Sequence, residues 1–131
     1  TKHTAFMKRI ISSPEAPAAV GPYSQAIETD GALYVSGQLP IDPRDGSMPD
    51  GVEAQTHRSL RNLQAILHEA GYTTDDIVKT TVLLADIADF GRMNAVYAEY
   101  FHKTLPARVC YQVAALPKAA LVEIDCIAAK K

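Results

Sequence analysis

The chain has 131 residues, 47% of them hydrophobic and 21% charged, and its 13 Lys and Arg against 15 Asp and Glu give a net charge of −2. This length implies one domain that buries about two-thirds of its unfolded surface, enough for a core without disulfide or metal staples. The composition excludes bulk disorder, and with no net positive field no nucleic-acid partner is expected.

Thr1–Phe6 reads as a flexible leader ahead of Met7, in a basic, acid-free opening too short for a transit peptide. Residues 1–12 lack a secretory apolar core and no apolar run is long enough to span a bilayer, so the expectation is a cytoplasmic protein with no membrane partner. Lys8–Ser12 reads as a short edge strand stopped by the Pro14–Pro17 loop. Tyr23–Thr29 and Ala32–Ser36 flank Asp30-Gly31, a two-residue hairpin signal because both residues tolerate positive φ. Leu39–Gly51, with three prolines and two further Asp-Gly pairs, reads as loop.

Glu53–Ala70 is the clearest helix. Leu60, Leu63, Ile66, Leu67 and Ala70 form one apolar stripe, Asp50 with Glu53 resembles a capping box, and Gly71 stands where a helix-ending glycine belongs. Val78–Ala85, rich in β-branched residues, reads as a buried strand. Asp89–Phe101 reads as a second helix burying Phe90, Met93, Val96, Tyr97, Tyr100 and Phe101. Arg108–Leu116 and Leu121–Ala128 read as two strands joined by a turn at Pro117-Lys118. Several strands with only two helices predict an α+β (α/β) fold, a mixed sheet with both helices on one face. The bare second face predicts self-association.

Several chemistries lose support. His57 and His68 lie eleven residues apart on one helix, roughly 16 Å along its axis, and cannot share a metal; all four histidines read as surface residues, so no metal is expected. There is no phosphate-binding glycine loop and no GxSxG elbow. Cys110 and Cys126 have no CxxC spacing; two reduced thiols are the expected state and a single disulfide the alternative.

Two charge features remain in strands that otherwise read as buried. Arg108 opens one strand; Glu123 and Asp125 alternate with Val122, Ile124 and Cys126 in another, so both acids point to one face. On pattern alone this is either a solvated face or a cleft in which a guanidinium clamps a carboxylate ligand while a nearby acid handles water or protons. Tyr23 is either core packing or a hydroxyl donor lining that cleft.

Six stretches, APAAVGPYSQA at 16–26, VSGQLP at 35–40, DIVKTTVLLA at 76–85, NAVYAEYF at 94–101, PAR at 106–108 and VAALPKAALVEIDCIA at 113–128, together resemble the RidA/YjgF family of reactive-intermediate (imine/enamine) deaminases along nearly the whole chain. The resemblance implies a single RidA-like domain with a chorismate-mutase-like fold, a homotrimer with clefts at subunit interfaces, and hydrolysis of 2-iminobutanoate and 2-iminopropanoate to 2-oxo acids and ammonia without a cofactor. It assigns the substrate-carboxylate arginine to Arg108 and the water-orienting acid to Glu123. It places Tyr23, Ser36, Gly37 and Asn94 in the cleft, and gives the Cys110 backbone N–H a share in holding the carboxylate. Asp125 inherits no role. Val109 stands where serine is common, on a side chain that strand alternation turns away from the cleft, and the Phe101–Pro106 connection is shorter than in some relatives. Two other functions share the resemblance: a 2-oxo-acid-binding regulator without turnover, and a ribonuclease or translation inhibitor.

Overall fold

A computed structural model describes residues 7–130, so the leader expected at Thr1–Phe6 lies outside the described residues. Eight elements follow one another: β1 (Arg9–Ile11), β2 (Ala26–Thr29), β3 (Ala32–Gln38), α1 (Val52–Ala70), β4 (Ile77–Leu84), α2 (Phe90–Tyr97), β5 (Ala107–Gln112) and β6 (Val122–Ala129). The strands form one mixed sheet in the order β1-β2-β3-β6-β4-β5. All neighbours are antiparallel except β4 and β5, the pair that α2 connects as parallel pairing requires.

The hairpin turns where Asp30-Gly31 predicts, with φ of 49° and 77° at the two residues. α1 ends at Gly71, whose left-handed φ of 85° lets its N–H and that of Tyr72 reach back to the His68 and Leu67 carbonyls. Its start differs from expectation. Gly51, not Asp50, is the N-cap, and no side chain caps the helix, so the Asp50/Glu53 capping box does not form.

The helices cover one face. Leu60, Leu63, Ile66 and Leu67 of α1 and Met93 and Tyr97 of α2 are buried with Leu33 and Val35 of β3, Val82 and Leu84 of β4, and Val122, Ile124, Cys126 and Ala128 of β6. Burial of each large aliphatic contributes about 1.5–3 kcal/mol. Among the polar residues buried on α1, Gln55 Oε1 accepts the Leu121 N–H at 2.8 Å, and Asn62 Nδ2 donates to the Leu39 and Ile41 carbonyls at 3.1 and 2.9 Å. The long loop and the lead-in to β6 are therefore pinned to the helix.

Three further expectations need correction. β4 alternates instead of being buried throughout, because only its Thr80, Val82 and Leu84 side lies under helices. α2 stops at Tyr97 and tightens into a 3₁₀ turn at Ala98–Tyr100, where Tyr100 is only partly buried, and at the helix's other end Phe90 is exposed. β5 stops at Gln112, opposite the last residue of β4, and does not pair with β6, which enters between β3 and β4.

Candidate active site

Arg108 lies on β5 at the sheet edge, on the same rung as Thr80 of β4, and therefore on the helix side. Phe90, Asn94 and Tyr97, spaced i, i+4 and i+7, present one face of α2 to it. Asn94 Oδ1 accepts from Arg108 Nη1 at 2.7 Å, and the guanidinium carbon lies 4.9 Å from the Tyr97 ring centre and 5.5 Å from that of Phe90. Cys110, two residues on, shares this face. Burial pushes its thiol pKa up, with Arg108 pulling the other way; burial also raises the Tyr97 phenol, against the Thr80 hydrogen bond and the Arg108 charge. Thiol and phenol are thus neutral at ordinary pH. Among the described residues no carboxylate lies within ion-pair distance of Arg108, so its charge meets only neutral neighbours. Val109 points the other way and is exposed, as alternation requires.

Glu123 occupies the opposite face. It pairs with Leu83 across β4 and borders a cavity of about 690 Å³ shared with Tyr23, Ser36, Gly37 and Lys118. A bulge shapes this corner: Val35 pairs with Cys126 and Gln38 with Ile124, so β3 carries one extra residue through Ser36-Gly37. The glycine is needed for close approach, because any Cβ at 37 would collide with the Glu123 carboxylate. Burial, with Asp125 adding like-charge repulsion, holds the Glu123 pKa above the usual carboxylate range.

The cavity walls are held by hydrogen bonds. Ser36 Oγ donates to the Ser24 carbonyl at 2.7 Å, and Gln25 Nε2 donates to the Pro17 carbonyl at 2.8 Å while its Oε1 accepts the Ser13 N–H. Tyr23 is half-exposed, its ring lining the same space. On the rim, Lys118 and Ala119 adopt successive left-handed φ of 58° and 57°, a strained turn of the kind found at functional sites. Asp125 differs from Glu123: its Oδ1 accepts the Thr81 N–H at 3.1 Å, and it lines a separate hollow with Tyr34 and Lys79.

The residues singled out in the sequence therefore fall into two groups, Arg108, Asn94 and Cys110 on the helix side and Tyr23, Ser36, Gly37 and Glu123 on the open side. One chain does not bring the groups together. Phe90 and Tyr97 were read as core and Thr80 as a strand residue; the signal for the two aromatics was the i, i+4, i+7 stripe that contains Asn94, and Thr80 had none. Of the histidines, His57 is half-buried and hydrogen-bonds Tyr100 Oη at 2.8 Å, whereas His68 and His102 are exposed; His3 lies outside the described residues. Among the described residues no three His, Cys, Asp or Glu side chains gather as metal ligands, and no helix is long and apolar enough to cross a membrane.

Fold and site define an α+β protein with an arginine on one sheet face that has no carboxylate partner among the described residues, and a half-buried acid of raised pKa on the other. The chain belongs to the Endoribonuclease L-PSP family, whose model matches residues 13–130. It is 49% identical to the mouse protein named 2-iminobutanoate/2-iminopropanoate deaminase, over 95% of this chain and 93% of that one. Among solved structures it resembles the YjgF gene product of E. coli (42% identity, TM-score 0.89, covering 94% of this chain and 99% of that one). E. coli TdcF with bound serine is similar too (40% identity, TM-score 0.91, covering 94% and 99%).

Proposed function

We propose that this chain is a 2-iminobutanoate/2-iminopropanoate deaminase, a single RidA-like domain that hydrolyses small 2-imino acids to 2-oxo acids and ammonia in clefts shared between the copies of a homotrimer. The observation that carries the reading is the pair of half-sites: a guanidinium with neutral neighbours on one face and a carboxylate of raised pKa on the other. Relatives that bear the deaminase name support the reaction. Tyr34, Val109 and Tyr111, exposed on the sheet face without helices, support self-association.

The chemistry follows from the residues. Arg108 of one copy grips the imino-acid carboxylate and so fixes the iminium carbon. Tyr23, Ser36, Gly37 and Glu123 of another copy form the facing wall, and the Cys110 N–H helps hold the carboxylate. Glu123 accepts a proton from water as its oxygen bonds to the electrophilic carbon, giving a carbinolamine. Glu123 then returns the proton to nitrogen, the C–N bond breaks and ammonia departs as the C=O forms; the hydroxyl proton leaves with it as ammonium. A carboxyl whose pKa lies above the usual range suits both transfers. These steps call for no cofactor, metal or nucleic acid, and the free thiols of Cys110 and Cys126 fit a reducing, cytoplasmic compartment.

The test is a threonine dehydratase reaction in which semicarbazide traps the released imine. Adding the chain should lower semicarbazone yield and speed 2-oxobutanoate release. Binding of 2-oxobutanoate with no change in semicarbazone would make the chain a 2-oxo-acid-binding protein instead. RNA cleavage that co-elutes with the oligomer and vanishes in Arg108→Ala would favour the endoribonuclease activity that the family's name carries.

A further inference from the structure

An arginine that clamps a substrate carboxylate must be aimed without being neutralised. Arg108 meets both demands through aromatic faces. Its guanidinium carbon is 4.9 Å from the Tyr97 ring centre, and the Tyr97 hydroxyl is 2.7 Å from Thr80 Oγ1. Thr80 is fully buried and shares a rung with Arg108 on the neighbouring parallel strand. The ring is thereby fastened to the same rung as the arginine it supports. Phe90, one helical turn before Asn94, adds a second ring face from the exposed side. A π face attracts the cation without accepting an in-plane N–H. Of the five N–H donors of the guanidinium, only one is taken among the described residues, by Asn94.

We propose that Tyr97, fastened by Thr80 and assisted by Phe90, is the positioning residue that aims the Arg108 fork at the substrate carboxylate. This rests on the reading of Arg108 as the carboxylate clamp. Tyr97 touches neither water nor imine; it acts through Arg108 alone. Its removal should therefore weaken recognition of a negatively charged carboxylate and spare the proton-transfer steps.

The experiment measures KM and kcat for imine hydrolysis, and Kd for 2-oxobutanoate and its neutral amide, in Tyr97→Leu, Tyr97→Phe, Phe90→Leu and Arg108→Ala. Tyr97→Leu should raise KM and the 2-oxobutanoate Kd roughly tenfold, the order of one desolvated cation–π contact. The amide Kd should stay unchanged and kcat should move by less than about threefold. Tyr97→Phe, which keeps the ring and loses the Thr80 bond, should recover most of the affinity. Phe90→Leu, at the exposed end, should shift KM in the same direction and decides alone if Tyr97→Leu does not fold. Unchanged KM in Tyr97→Leu and Phe90→Leu, or equal loss for acid and amide, overturns the inference while an impaired Arg108→Ala leaves the clamp standing. If Arg108→Ala itself binds 2-oxobutanoate normally, the clamp reading falls and this inference with it.

Discussion

Arg108 and Glu123 stand on opposite faces of one six-stranded sheet: Arg108 shares a rung with the fully buried Thr80, and Glu123 pairs with Leu83 on the side without helices. The hydrogen-bonded backbone of the sheet lies between them, so no rotamer change unites them. On the proposed reading, a reaction that uses both takes them from two copies, and assembly is then part of the chemistry.

Replacement of Arg108 separates the clamp from the fold. Arg108→Ala should weaken 2-oxobutanoate binding and lower kcat/KM by on the order of 10²- to 10³-fold, because a desolvated charge partner is lost. The oligomer should remain folded, since the side chain sits at an edge. Arg108→Lys should be nearly as poor, because an ammonium cannot reproduce the fork. Calorimetric titration with 2-oxobutanoate checks both, and wild-type affinity in either variant would contradict the clamp.

Glu123→Gln keeps size and removes the proton acceptor, so imine hydrolysis should fall by roughly 10²- to 10⁴-fold while 2-oxo-acid binding persists through Arg108. Asp125→Asn should lose little activity, because an amide oxygen can still accept the Thr81 N–H that Asp125 now receives. Steady-state rates of both variants decide the assignment. A damaged Asp125→Asn beside an active Glu123→Gln would reverse it.

Gly37→Ala should fold and lose activity. The added methyl occupies the space of the Glu123 carboxylate, and a displacement of about 1 Å at a reacting group is worth on the order of 10²-fold in rate. Circular dichroism with the imine assay tests this. Full activity would mean that Glu123 does not need its present place.

What was legible in the sequence was local. The hairpin followed from Asp30-Gly31, α1 from its leucine stripe, its end from Gly71, and the facing of Arg108 against Val109 from strand alternation. What was not legible depends on strands distant in sequence. Nothing around Val122 shows that β6 enters between β3 and β4, and without that placement the carboxylate over Gly37 and the bulge at Ser36-Gly37 have no visible cause. Phe90 and Tyr97 were read as core because an aromatic at helical spacing packs equally well on leucine or on a guanidinium. The candidate site residues were named through the family motifs; their separation onto two faces emerges from the register.

The two notable glutamates should give opposite pH signatures. Arg9 and then Tyr72 hydrogen-bond Glu28 and hold its pKa below the ordinary value. Its contribution is therefore present above that ordinary value and is lost as pH falls through the depressed one. Burial, then Asp125, raises Glu123; its charge opposes folding once pH rises through the raised value, and the penalty is absent below the ordinary one. Thermal melts should show Glu28→Gln lowering Tm at pH 7 and Glu123→Gln raising it, with both differences shrinking in acid. The same sign for both would contradict these environments.

The shared cleft is tested most directly by mixing two inactive variants. Arg108→Ala and Glu123→Gln, unfolded together and refolded at equal concentration, form mixed oligomers in which an intact Arg108 of one copy faces an intact Glu123 of another. Random assortment in a ring of three predicts recovery of about a quarter of wild-type imine hydrolysis, in a species whose light-scattering mass is near three times 14.2 kDa. A mixture as inactive as its parents, with mixed oligomers demonstrably formed, would place both residues in one chain's site and contradict the account.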